Sequence, residues 1–145
     1  MRNRHLPEPL GVLLSRAARL AEREFEASFE GTGGSRSWWG ILRSLSDGHA
    51  ETQSDLAQQL GLTGATLVHH LDLLEAAGMV ARQRNPVNRR LQTVSLTPDG
   101  LALFQRLLGQ VLAFDTRMRR RLTPETEAAL RAGLAAIEAA LTGLD

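Results

Sequence analysis

Residues 52–100 read TQSDLAQQLGLTGATLVHHLDLLEAAGMVARQRNPVNRRLQTVSLTPDG, and the punctuation of this stretch decides the fold. Thr52 stands three residues before Asp55 and immediately ahead of Leu56, Ala57 and Leu60, the form of a capping box. Gly61 ends that helix after about two turns. Thr63 offers its hydroxyl as the next N-cap only two residues later. Two helices joined by so short a turn must pack across one another. The second is predicted to run to about Ala77, with Gly78 taking the left-handed conformation past its end. From Met79 the texture changes to Val80-Ala-Arg-Gln-Arg84, then Asn85-Pro86. Leu91 to Leu96 follows, in which Val94 and Leu96 are interspersed with Gln92 and Ser95. This predicts a hairpin over about 80–96, with a loop, roughly Asn85 to Arg90, that is longer and more basic than a tight turn requires.

Downstream, Thr97-Pro98 and Thr123-Pro124 each place a capping hydroxyl before a proline suited to the first helical position. The first of these helices is expected to reach about Arg121, with Gly109 as a weak point. At 1.5 Å per residue it would span about 36 Å. The last, Pro124 to about Leu141, is apolar over much of its circumference. Upstream, Leu10, Leu13, Leu14, Ala17, Leu20, Ala21 and Phe25 recur at helical spacing, predicting a helix to about Ser28. After a glycine-rich break from Glu30 to Ser35, Trp38 to Leu45 forms a second short helix ending at Asp47-Gly48. The fold expected is mainly α with a small β-hairpin wing, a winged helix-turn-helix over 36–97. Helices 10–28 and 98–142 expose more apolar stripe than one chain of this size covers, which predicts dimerisation through them and a homodimer.

Composition removes many alternatives. The 145 residues contain no cysteine, which excludes disulfides, thiolate nucleophiles and cysteine-containing zinc sites. All 17 basic residues are arginine, so lysine-based Schiff chemistry and a phosphate-loop lysine are absent. Met1 to Pro9 carries Arg2, Arg4 and Glu8 where a signal peptide needs an apolar core, which leads to the expectation of a cytoplasmic protein without membrane contact. The net charge is +1, yet residues 79–121 hold nine arginines against Asp99 and Asp115. One basic segment beside acidic ones suits a chain that presents one region to a polyanion. GxSxG, HExxH and Walker sequences are missing, and Gly31 and Gly33 are not followed by the third glycine of a dinucleotide fingerprint, which falls at Arg36. Neither an enzyme nor a cofactor is expected. His69 and His70 diverge by about 100° on a helix and have only His5 and His49 as further imidazoles, so no metal site is expected either.

The order of elements, the LAxxLG turn at Leu56–Gly61, the LExxG ending at Leu74–Gly78 and the run from Arg90 to Leu96-Thr97 together resemble the MarR family of bacterial regulators over nearly the whole chain. That resemblance implies a dimer on double-stranded DNA, with release by a small, often aromatic effector held between the dimer helices and the DNA-binding lobe. One departure is Asn88, where the family's wing commonly carries an aspartate, so a carboxylate brace for the wing arginine is lost or replaced by a neutral hydrogen bond, which bears on the wing's rigidity and not on its charge.

Helical geometry identifies the DNA-contacting residues separately. Leu67, Leu71 and Leu74 cluster on one face of the second helix, leaving Thr63, Ala65, Thr66, His69 and His70 as candidates to read base edges in the major groove. In the wing, Arg82, Arg84, Arg89 and Arg90 are candidates for phosphate or minor-groove contact, Arg90 foremost. Arg117, Arg119, Arg120 and Arg121 suit the C-terminal end of a long helix, where they meet its dipole. For an effector, Trp38 and Trp39, with Phe25 and Arg16, are the candidates by stacking and charge pairing. The competing function is a winged-helix protein-interaction or ligand-sensing adaptor without direct DNA binding. Such an adaptor is not expected to keep an arginine wing.

Overall fold

The computed structural model describes residues 7–46, 51–88 and 91–143. Asp47-Gly48, His5, His49, Arg2, Arg4, Arg89 and Arg90 lie outside them. The elements run α1 (Leu10–Ala27), α2 (Arg36–Leu45), β1 (Glu51–Thr52), α3 (Gln53–Leu60), α4 (Gly64–Ala76), β2 (Val80–Arg84), β3 (Gln92–Leu96), α5 (Pro98–Arg119) and α6 (Pro124–Thr142). One compact unit ends at Val111 and a second begins at Leu112.

In the first unit the helical stripes meet in one core. Ile41, Leu42 and Leu45 of α2, Leu56 of α3, Leu71 and Leu74 of α4 and Leu107 of α5 have no exposed surface. Each such side chain contributes about 1.5–3 kcal/mol by leaving water. Phe29 and Trp39 join them, and Phe25, Trp38 and Phe104 pack at the edge. Gly34 admits this packing, because a Cβ there would fall 2.8 Å from the Leu107 side chain.

The helix boundaries are local chemistry. Thr52 Oγ1 accepts from the Asp55 N–H at 3.1 Å. Thr63 Oγ1 accepts from the Thr66 N–H at 3.2 Å, and the Thr123 hydroxyl serves α6 in the same way through Thr66's counterpart, Thr126. Ser35 caps α2 through the Trp38 N–H, so that helix begins two residues earlier than the apolar pattern predicts. Gly61 at φ 62° ends α3. The Leu62 N–H donates to the Ala57 carbonyl and the Gly61 N–H to that of Gln58, the paired closure of a Schellman turn. Gly78, at φ 75°, ends α4 identically, with Met79 N–H on the Leu74 carbonyl at 2.8 Å and Gly78 N–H on that of Glu75 at 2.9 Å.

The hairpin is joined by a third strand that the sequence pattern does not reveal. The sheet order is β1-β3-β2, all antiparallel, with Glu51 opposite Val94 and Thr52 opposite Thr93. In the wing, Val80 faces Leu96, Arg82 faces Val94 and Arg84 faces Gln92. The wing's root is tied to both helices beside it. Thr97 N–H donates to the Met79 carbonyl at 3.1 Å, and Thr97 Oγ1 donates to the Gly78 carbonyl at 2.6 Å. The same hydroxyl oxygen accepts from the Gly100 N–H at 3.0 Å. A Cβ on Gly100 would lie 1.9 Å from the Met79 carbonyl oxygen, so the close approach of α5 to the end of α4 requires glycine.

The second unit contains the end of α5 and all of α6. Arg119 bonds Asp115 one turn back and lies 3.6 Å from Glu127, which also takes Arg131 at 2.7 Å. Arg117 lies over the Phe114 ring at 5.3 Å. No residue of α6 is buried.

Candidate nucleic-acid interface

The first turns of α4 present short, neutral side chains. Thr63, Ala65, Thr66 and His69 are exposed, while Leu67 and Leu71 turn inward. The Thr63 and Thr66 hydroxyl oxygens lie 2.9 Å apart, so one donates to the other and a single hydroxyl hydrogen stays available outward. Thr63 is therefore both a cap and a surface group. His70 is half-buried, and its Nδ1 is buried without a hydrogen-bond partner among the described residues. It flanks the core stripe, with its ring centroid 5.7 Å from that of His69. A helix start of this composition leaves room for close approach to a base edge, with threonine and histidine as its polar groups.

The wing is a built turn. The Asn85 N–H donates to the Leu91 carbonyl at 2.9 Å, and Leu91 N–H donates to the Asn88 carbonyl at 2.9 Å. Asn85 Oδ1 accepts from the N–H groups of Val87 and Asn88 at 2.9 and 3.0 Å. The turn thus takes side-chain support from Asn85. At its tip Val87 is 95% exposed.

The wing arginines divide. Arg84 is exposed at the end of β2 and has no ion-pair partner among the described residues. Arg89 and Arg90 lie outside the described residues. Arg82, the other described arginine of the wing, is engaged within the chain. Side chains alternate along a strand, so Arg82 shares a face with buried Val80 and with Val94 opposite, and that face meets α4. There its guanidinium bonds Asp72 at 2.6 Å and Glu75 at 2.5 Å, and its side chain is 17% exposed. The Arg82 side-chain bond holds the Glu75 carboxyl below its ordinary value, ahead of the opposing effect of desolvation. The readable signal was present: Asp72 and Glu75 stand one turn apart on α4, and Arg82 follows Val80 by two.

The proposed effector residues also separate. Trp39 is 8% exposed, with its ring stacked on Phe104 at 5.3 Å and 8°. It is a core residue. Phe25 meets Phe29 edge to face at 4.9 Å. Arg16 pairs with Glu8 at 2.8 Å on the surface. Trp38 is half-buried at the core's edge. Among the described residues, no helix is long and apolar enough to cross a membrane.

A model of the MarR family matches residues 32–91. The uncharacterized HTH-type transcriptional regulator YdgJ of Bacillus subtilis is 32% identical over 123 residues, covering 80% of this chain and 73% of its own. The HTH-type transcriptional repressor Mb2911 of Mycobacterium bovis is 33% identical over 115 residues, covering 79% and 83%. Among solved structures, the chain matches the transcriptional repressor CouR, bound to a 23-mer DNA duplex, with a TM-score of 0.83 and 27% identity over 95% of this chain and 98% of that one.

Proposed function

The chain belongs to the MarR family, and from that premise we propose that it is a cytoplasmic, sequence-specific DNA-binding repressor of transcription, a homodimer and not an enzyme. The observation that carries the reading is the pairing of an exposed, neutral helix start at Thr63, Ala65, Thr66 and His69 with a wing whose exposed Arg84 has no ion-pair partner among the described residues. The likeness to CouR, whose structure holds a DNA duplex, supports it. Thr63, Ala65, Thr66 and His69 read base edges, His70 contributes from the margin, and Arg84, Arg89 and Arg90 take phosphate or the minor groove. Helices α1 and α6 supply the dimer contact, so the two recognition helices meet half-sites about 10–10.5 base pairs apart.

With Arg82 engaged elsewhere, three wing arginines on each of two subunits allow about six phosphate contacts. Affinity for duplex DNA then falls about 10³-fold between 50 and 200 mM salt. Fluorescence anisotropy with a labelled duplex across that range tests the proposal. An affinity that hardly moves with salt overturns it, and so does an absence of binding at low salt.

The aromatic-effector reading narrows to Trp38 and Phe25, because Trp39 is engaged by Phe104. In a Trp39→Phe variant Trp38 is the single tryptophan. Its emission is expected to change when an aromatic acid binds, and a flat response across a panel of such acids removes the effector from the proposal.

A further inference from the structure

Asp72 and Glu75 place two partly exposed carboxylates on the helix that the proposed function lays against DNA. Left alone, they would oppose the phosphates on either side of the groove. Both are instead satisfied by one residue of the wing. Arg82 Nε donates to Glu75 Oε2 at 3.0 Å. Its Nη2 donates to the same oxygen at 2.5 Å and to Asp72 Oδ1 at 2.6 Å. The Arg82 backbone N–H adds a bond to Glu75 Oε1 at 3.3 Å. Glu75 therefore grips main chain and side chain of one strand residue together, and the planar guanidinium spans two carboxylates one helical turn apart. Such a fork fixes direction as well as distance.

We infer that Arg82 is a positioning residue: it seats the wing on the recognition helix and cancels that helix's two carboxylates, and it does not itself contact DNA. The inference rests on the DNA-binding reading. Base-reading side chains on α4 and cations at the far end of β2 can engage one duplex together only at a set separation, and a wing that swings must be ordered at the moment of binding. The root of the wing is already tied through Thr97 to Gly78 and Met79. Arg82 adds a second tie, two residues farther along β2 than Val80, so the strand is held at two points and cannot pivot about the first.

The alternative, an arginine poised to contact phosphate and restrained by two acids, makes the opposite forecast for the acid. Glu75→Ala removes a negative charge beside the DNA and would release Arg82. A DNA-contacting arginine then gives tighter binding; a positioning arginine gives weaker binding. We expect Glu75→Ala and Arg82→Gln each to weaken binding of the full-length dimer to a duplex selected from random-sequence DNA by about tenfold. Both should leave the slope of log affinity against log salt unchanged. Arg84→Gln, in contrast, should flatten that slope by about 1 per lost contact. Glu75→Ala binding as tightly as the parent or tighter overturns the inference, as does a flattened slope for Arg82→Gln. A readout without DNA separates this from the function. Amide exchange across Val80–Arg84 should quicken in Glu75→Ala and Arg82→Gln but not in Arg84→Gln, and unchanged exchange in the first two also overturns the seating of the wing. Absence of binding by the parent protein would instead count against the DNA-binding reading itself.

Discussion

The winged lobe and the terminal helices spend similar apolar sequence in opposite ways. In the lobe Leu42, Leu45, Leu56, Leu71 and Leu74 are wholly removed from water. In α1 and α6 no residue is buried, and Leu10, Leu20, Leu130 and Leu141 expose 64, 51, 49 and 82% of their surface. Yet α6 is well made as a helix. It has the Thr123 cap, Pro124 at its start, Glu127 paired with Arg131 one turn on and a left-handed Gly143 at its end. Its order comes from local signals, whereas the order of α4 comes from its core. The difference teaches that a regular apolar stripe in this chain means burial within the chain in one place and, on our reading, burial against a second copy in the other.

The strongest way to break that comparison is to put charge on the stripe. Leu130→Glu combined with Leu134→Glu should leave the lobe's unfolding transition in place while dissociating the dimer. Each leucine removed from an apolar interface forfeits about 1.5–3 kcal/mol. Together they should weaken association by roughly 10²–10⁴-fold. Sedimentation velocity would then find a monomer at concentrations where the parent is dimeric, and a dimer of unchanged affinity would show that α6 is merely an exposed helix. Next in size is a change on the lobe's side of the comparison. Gly100→Ala sets a methyl against the Met79 carbonyl oxygen, at 1.9 Å before relaxation, and strains the bonds from Thr97. Overpacking of this kind should cost about 3 kcal/mol. Thermal unfolding should fall by roughly 6–12 °C in a domain of this size, and an unchanged midpoint would mean that α5 shifts freely at its start.

The parts legible in the sequence are those written in local chemistry. Thr52, Gly61, Thr63, Gly78, Thr97 and Thr123 mark helix ends with groups that act within a few residues, so their roles survive without knowledge of the rest. What depended on distant partners was harder to read. Strand β1 is two residues long and exists by pairing with β3, some 40 positions away, so no periodicity announces it. Trp38 and Trp39 are equivalent in sequence, and it is Phe104 on α5 that decides which of them is core. Arg82 looked like its neighbours Arg84, Arg89 and Arg90 because charge is visible in a sequence and pairing is not. Strand alternation from Val80 and the two acids on α4 together held the answer, but only the packing of β2 on α4 brings them together.

The smallest effect sharpens the comparison most, because it applies one chemical change to both regions. Thr63 and Thr123 make the same cap: each hydroxyl accepts from the N–H three residues on at 3.2 Å and meets the hydroxyl of a second threonine there. Replacing either by alanine removes an interaction worth about 1 kcal/mol. In α4 the first turn carries Leu67 into the core, so fraying there uncovers buried surface, and Thr63→Ala should lower the whole lobe's stability by that amount in urea unfolding. In α6 nothing in the turn is buried within the chain, so Thr123→Ala should leave the lobe's unfolding midpoint unmoved. Its cost should appear instead as faster amide exchange confined to residues 124–128 and as a dimer weakened by up to about fivefold. Equal losses of lobe stability from the two substitutions would mean that α6 is coupled to the lobe's folding as closely as α4 is, and the contrast between a core-built and a locally built helix would fail.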